Sequence, residues 1–148
     1  MSDKILFYKV NEPYGVFSNF YKCGFFIDDE YWPTVEHFFQ AQKFDDEALR
    51  EKIRKLASPM DAAISGRDRD NPLRDDWDCV RDNIMRLAVM EKFKQNDEAR
   101  NILLATNDLI LVEHTKNDSY WADGGDGSGK NMLGKILMEV RGILRETV

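Results

Sequence analysis

Cysteine is scarce in this sequence: among 148 residues only Cys23 and Cys79 occur. Two thiols are too few for a disulfide framework, and they share no metal-ligand spacing with a histidine. Both are expected to be buried thiols in a reducing compartment. Histidine is as sparse. His37 and His114 are the two present, and neither sits in a ligand motif. No metal and no cofactor is expected, and His37 reads as a packing or hydrogen-bonding residue. Long apolar runs are missing too. A membrane helix needs about 18 or more consecutive apolar residues, and none occurs; the opening stretch "MSDKILFYKV" has no long apolar segment and no small-residue cleavage site. No membrane partner and a cytoplasmic location are the expectations. Basic charge is in deficit, with a formal net charge of −6. Wide coverage of a nucleic-acid backbone needs a basic surface, so that class recedes, while a single nucleotide-sized ligand stays open.

Internal repeats and low-complexity linkers are also absent, so the 43% hydrophobic content is expected to build one core in one domain spanning residues 1–148. Before Thr34 the chain is aromatic and strand-like. "ILFYKV", "GVFSNFY" and "GFFIDDEYW" predict short antiparallel strands, with a hairpin turn at Asp28-Asp29. After Pro33 helical signals take over. "TVEHFFQAQKF" starts a helix, and "DDEALREKIRKLA" carries acids at its start and bases near its end, as the helix dipole favours. Ser58-Pro59 caps a short helix and "GRDRDNPLRDDW" reads as a loop. Trp77 opens a long helix with Val80, Ile84, Leu87 and Ala88 on one face. Asn96 is placed as the next cap and "LILVEH" as a late strand; positions 133, 136, 137, 140, 143 and 144 then repeat at helical spacing. The pattern is α+β with helices in the majority.

One segment suggests a specific chemistry. "DGGDGSGKN" satisfies G-x-x-x-x-G-K from Gly124 to Lys130, the loop whose backbone N–H groups cradle phosphates. Its context argues otherwise. A P-loop follows a buried strand, carries Ser or Thr after its lysine, and leads into further βα units. Here the preceding "HTKNDSYWAD" is polar, Asn131 replaces the hydroxyl residue, and too little sequence follows. Asp123 and Asp126 would also repel polyphosphate. Nucleotide hydrolysis is therefore not expected. A turn capping the last helix is, and its glycine N–H groups suit one phosphate or a sugar hydroxyl.

A second pattern lies in "WPTVEHFFQAQKF". Rotation of about 100° per residue puts Val35, Phe38, Phe39 and Gln42 on one face and Glu36, Gln40 and Lys43 on its flank. Glu36 and Lys43 are about 10 Å apart along the axis, beyond an i,i+4 pair but within reach of one small ligand. Two readings stay open: a dipole-stabilising glutamate with a solvated lysine, or the wall of a cleft. Trp77 and Trp121 stand beside irregular polar sequence, where an indole stacks on a base or anchors a loop. Phe17, Phe20, Tyr31 and Trp32 suit a core equally well. Asp118 and Asp123 fit acid–base work near an aromatic wall, or simple bonding of backbone N–H groups. The Arg67-Asp68-Arg69-Asp70 alternation is a surface ion-pair cluster or presents an arginine to a phosphate.

These stretches also fall in a familiar order. "GVFSNFY", "WPTVEHFFQAQKF", "SPMDAAISGRDRDNPLRDDW", "KFKQN" and "LLATNDLILVEHTKNDSYWADGGDGSGKNMLGKILMEVR" together resemble the YbiA-like, or NADAR, family over nearly the whole chain. The resemblance implies a compact, mainly helical α+β domain without metal, with a small antiparallel sheet from the N-terminal strands and a late strand. It implies an N-glycosidase acting on early riboflavin-pathway intermediates or, as in some relatives, releasing ADP-ribose from modified guanine in DNA or RNA. The partner so implied is a small ribosylated nucleotide-like substrate, with ADP-ribosylated guanine as the alternative.

By motif position Glu36 resembles the family's catalytic glutamate, Lys43 the lysine of a covalent sugar intermediate, and Asp118 the second functional carboxylate. Phe17, Ser18, Asn19, Gln40, Arg67, Trp77, Tyr120, Trp121, Asp123, Gly124 and Asn131 make up the expected substrate-binding set. Ala122 departs from the usual "YWGDG"; its methyl is expected to restrict the loop backbone and to bear on substrate preference. The chemistry follows from charge. Cleaving a C1′–N bond builds positive charge on the sugar, which a preorganised carboxylate stabilises, and Glu36 is assigned that role. Lys43 attacks C1′ only as a neutral amine, a form that burial against Phe39 favours. Asp118 is left between activating water and holding ribose hydroxyls. A non-catalytic ADP-ribose or nucleotide-binding module and a pure interaction domain are the competing classes.

Overall fold

The computed structural model describes residues 3–147; Met1, Ser2 and Val148 lie outside the described residues, and with them the start of the chain and both edges of the expected 1–148 domain. Strand β1 (Lys4–Phe7) pairs in parallel with β4 (Ile110–Glu113), Phe7 opposite Glu113. Strands β2 (Phe25–Ile27) and β3 (Glu30–Trp32) form an antiparallel hairpin. Its turn residues Asp28 and Asp29 take φ of 52° and 65°, the left-handed pair that a two-residue hairpin requires and aspartate tolerates. Between these strands run α1 (Val35–Ala41), α2 (Glu47–Arg54), α3 (Pro59–Arg67), α4 (Trp77–Gln95) and α5 (Asp97–Ala105), with α6 (Met132–Glu146) last.

The α+β class, the helical majority and the small antiparallel sheet agree with the sequence reading; several details differ. The late strand is parallel to the first, because the helices between them supply the crossover that a parallel pair needs. "GVFSNFY" is not a strand: Gly15–Phe17 form a 3₁₀ turn. A side chain at Gly15 would place its Cβ 2.1 Å from the Val10 carbonyl oxygen, so this turn closes backbone against backbone. The buried face of α4 consists of Trp77, Met85, Ala88, Val89, Lys92 and Phe93, while Leu87 is exposed; Ile143 is likewise exposed on α6. Cys79 is exposed and Cys23 only partly buried. Asn96 stands at the cap position of α5, but its amide donates to the carbonyls of Gly24 and Lys92 and makes no cap bond.

Helix α1 is buried along its whole length, packed against α2, α3, α4 and β3. Thr34 starts it, accepting from the His37 N–H through Oγ1. The His37 ring spans Thr34 Oγ1 (2.8 Å) and the Leu56 carbonyl (3.0 Å), the bonding role expected of it. Any charge on this helix therefore faces protein or an internal cleft. A further buried cation supports the same region. Lys92, 1% exposed, donates to the Val16 and Ser18 carbonyls, and burial pushes its pKa down to about 8. Lys92→Met leaves the buried Val16 carbonyl without a donor, while the Ser18 carbonyl keeps the Tyr21 N–H. It is expected to cost about 1–3 kcal/mol of stability, read from the urea unfolding midpoint at neutral pH. Among the described residues no helix is long and apolar enough to cross a membrane, and no group of three or more His, Cys, Asp or Glu side chains is arranged to hold a metal.

Candidate active site

A cleft of about 1310 Å³ opens where the ends of β1 and β4, the turn after Phe17, α1 and α3 meet. Ser18, Asn19, Glu36, Gln40, Lys43, Arg67, Asp118 and Trp121 all line it. Residues separated by more than 80 positions in the chain are thus gathered around one space. The polar stripe of α1 bounds this cleft and is not a solvated flank.

Glu36 is 6% exposed. Gln40 Nε2 donates to its Oε2 at 2.8 Å, and its own backbone N–H donates to the Asn19 carbonyl at 3.1 Å. Burial pushes the Glu36 pKa up; the Gln40 hydrogen bond, Arg67 and Lys43 pull against that, and Asp118 adds to it. Lys43 follows directly after the cap residue of α1, Gln42. Its Nζ donates to the Gly66 carbonyl at 3.4 Å and lies 6.0 Å from the Phe39 ring centroid. Burial pushes its pKa down, opposed by Glu36 and assisted by Arg67. Desolvation thus drives the acid and the amine of this pair toward their neutral forms, while each favours the other's charge. Asp118 is held at the cleft edge by the Tyr120 and Trp121 N–H groups, which donate to Oδ1 at 2.8 and 2.9 Å. Trp121 meets Phe39 edge-on at 5.3 Å, giving the cleft an aromatic wall.

Six residues of the expected binding set lie outside the lining. Phe17 is core, 1% exposed and packed against the rings of Phe7, Tyr14 and Phe93. Trp77 sits behind the wall, its ring 5.0 Å from that of Phe39. Tyr120 donates its hydroxyl to Asp82 at 2.6 Å, with the Arg81 guanidinium 4.0 Å over its ring. Asp123 accepts from the Thr115 and Gly125 N–H groups at 3.1 and 2.8 Å and bonds His114 Nδ1 at 2.7 Å. Gly124, at φ 74°, donates its N–H to the Asp118 carbonyl. Asn131, at φ 53°, accepts from the Glu113 N–H and donates to the Leu111 carbonyl, tying the start of α6 to β4. These residues shape the loop behind the cleft.

Most N–H donors of the glycine loop are spent internally. The N–H groups of Gly125 and Ser128 go to aspartate side chains; those of Gly129, Lys130, Asn131, Met132 and Leu133 go to the carbonyls of Asp123, Ser119, Ala122, Tyr120 and Trp121. A helix start already satisfied in this way offers little to an anion. Ala122 is fully buried and its φ is not positive, so its methyl packs inside at a backbone conformation open to any residue. Sequence reasoning missed Glu113, the last residue of β4, whose side chain faces the cleft. Its only signal was position, a carboxylate closing an apolar strand.

Gly66 sets the Glu36–Gln40 bond. A Cβ there would lie 2.0 Å from Gln40 Oε1 and 2.8 Å from Gln40 Cβ. Gly66→Ala is expected to turn the Gln40 amide away from Glu36 and to lower kcat/KM by about tenfold or more, the value of one hydrogen bond to a charged group. Steady-state kinetics checks this; because the added Cβ also meets Gln40 Cβ, the melting temperature in a parallel thermal melt is expected to fall too, and the kinetics are read well below it.

Comparison with known proteins agrees with this architecture. The NADAR domain model matches residues 6–145. The chain is 54% identical over 142 residues to N-glycosidase YbiA of Escherichia coli strain K12, covering 95% of this chain and 89% of that protein. It is 49% identical over 144 residues to N-glycosidase Npun_R5314 of Nostoc punctiforme, covering 95% and 92%. It is 44% identical over 146 residues to riboflavin biosynthesis protein VVA0006 of Vibrio vulnificus, covering 99% of this chain and 40% of that longer protein. The NMR structure of E. coli YbiA matches with a TM-score of 0.91 at 53% identity, over 99% of this chain and 88% of that one. The chain belongs to the NADAR family.

Proposed function

We propose that this protein hydrolyses the C1′–N bond between ribose 5′-phosphate and a base-like amine, with early riboflavin-biosynthesis intermediates as the substrate class. The chain is an N-glycosidase, as its relatives in E. coli and Nostoc are named; the riboflavin assignment leans on the name of the Vibrio relative. The observation that carries the site reading is the convergence of Glu36, Lys43 and Asp118 on one cleft beside an aromatic wall. In this reading one domain, residues 1–148, performs the whole reaction.

The base stacks against Phe39 and Trp121, and the cationic side chains of Lys9, Lys22 and Arg67, which also line the cleft, take the 5′-phosphate. As the C1′–N bond lengthens, positive charge appears on the sugar facing the Glu36 carboxylate. Fixed in a desolvated site, that carboxylate lowers the barrier with little reorganisation. Lys43, whose pKa burial lowers, adds to C1′ as its neutral amine and holds the opened sugar as an imine. Water activated by Asp118 then releases ribose 5-phosphate and restores the amine. ADP-ribosylated guanine in a nucleic acid is the competing substrate, disfavoured by the net charge of −6. Incubating purified protein with a ribosylated aminopyrimidine 5′-phosphate and, separately, with ADP-ribosylated DNA decides between them. Release of free amine in the first alone is the expected result. Release of ADP-ribose in the second alone would reverse the assignment, and binding without turnover of either would leave a reader module.

A further inference from the structure

Glu113 faces the same cleft, and the reaction as described gives it no task. Its backbone is held on both sides: the N–H donates to Asn131 Oδ1 at 3.0 Å, and the carbonyl accepts from the Asp123 N–H at 2.9 Å. The adjacent strand β1 places Phe7 opposite it, with Tyr8 and Lys9 beyond, lining the cleft. The charged groups that bear most on its carboxyl are all anionic: Asp118 and Asp123 from the loop after β4, and Glu36 from α1. Glu36 stands in a different environment, with the Gln40 amide, Arg67 and Lys43 all favouring its anion. Burial raises the pKa of both carboxyls, but two carboxyls facing one desolvated cleft divide protons unequally: the one with donor and cationic partners gives up its proton more readily, and the other holds it more tightly.

We propose that Glu113 is the general acid of the cleft, giving its proton to the departing nitrogen as the C1′–N bond breaks. The inference rests on the N-glycosidase reading above. Atoms and electrons balance: the bonding pair and the Glu113 proton both go to nitrogen, so the amine leaves neutral. The positive charge stays on the sugar facing Glu36. Addition of the Lys43 amine at C1′, and then of water to the imine, sheds the proton that restores Glu113. An exocyclic amine needs this help, because unprotonated it would leave as a strongly basic anion. Burial, with the three carboxylates adding to it, pushes the Glu113 pKa up to about 8. The group is then protonated at neutral pH, and the acid function is lost as pH rises through that value.

The test compares leaving groups. Glu113→Gln is assayed on a ribosylated aminopyrimidine 5′-phosphate and on nicotinamide mononucleotide, whose pyridinium nitrogen departs as a neutral base without a proton. On the aminopyrimidine substrate kcat/KM is expected to fall by about 10²- to 10⁴-fold, with loss of the alkaline limb near pH 8, and on the nicotinamide substrate by less than roughly threefold. Equal losses on both, or no loss on the first, would overturn the proposal by assigning Glu113 a structural role or none. A second measurement needs no turnover. The ¹³C carboxyl resonance of Glu113 in the wild-type protein, assigned by its loss in Glu113→Gln or, should that variant not fold, in Glu113→Asp, is expected to stay protonated through pH 7. Ionisation already complete below about pH 5 would overturn the proposal whichever substrates are cleaved. Failure of wild type on every ribosylated substrate would instead overturn the glycosidase reading, with the resonance still reporting on Glu113.

Discussion

Glu36→Gln is expected to lower kcat by about 10³-fold, roughly 4 kcal/mol of transition-state stabilisation, while substrate affinity changes by less than about threefold. The amide has nearly the shape of the carboxylate and still accepts from Gln40 Nε2, which bonds Glu36 Oε2 at 2.8 Å, so the packing of α1 is preserved. Only the negative charge is lost. That charge matters little to a neutral ground-state sugar and much to a sugar carrying positive charge, hence the separation of kcat from affinity. A solvated glutamate would not behave this way, since water screens it; Glu36, 6% exposed, works in a medium of low polarity. Rapid-quench measurement of product formation, paired with calorimetric binding of substrate to the variant, checks both halves.

Lys43→Met is expected to abolish a sugar adduct that borohydride traps in the wild-type protein, and to slow turnover by about 10²-fold or more. Lys43→Arg should be as inactive, although it keeps a cation, because a guanidinium does not give up its proton to become a nucleophile. That contrast separates covalent chemistry from electrostatics. The pH dependence has a defined sign. Burial lowers the Lys43 pKa from its usual 10.5, against the pull of Glu36. The reactive neutral amine therefore accumulates at lower pH than for a free lysine, and the adduct yield should rise with pH across that shifted titration. Mass spectrometry after borohydride quench reads it. Activity intact with no adduct at any pH would replace the imine by direct attack of water.

Much of the fold was legible because its signals are local. The Ser58-Pro59 start of α3 appears as Ser58 Oγ accepting from the Asp61 N–H, and the Asp28-Asp29 turn appears as two positive φ values. What the sequence hid depends on distant partners. Whether β1 meets β4 in parallel or antiparallel fashion is decided by the helices between them. Gly15–Phe17 turns instead of extending because Val10 approaches Gly15. The site divides in the same way. Glu36, Gln40 and Lys43 lie close in sequence and were found together. Asp123 and Asn131 carry polar groups that suit a ligand equally well, and only the folded chain reveals that backbone N–H and C=O groups consume them. Glu113 was invisible for the opposite reason: a strand-ending carboxylate is ordinary until Glu36 and Asp118 are seen to share its cleft.

The central claim is that positive charge develops at the anomeric carbon in front of Glu36. A single-turnover comparison of a ribosylated aminopyrimidine 5′-phosphate with its 1′-deuterated form tests it most directly. A carbon passing from tetrahedral toward trigonal loosens its C–H bending motion, so the account predicts a normal secondary isotope effect, the deuterated substrate reacting more slowly. Equal or inverted rates, with free amine still released, would contradict the account.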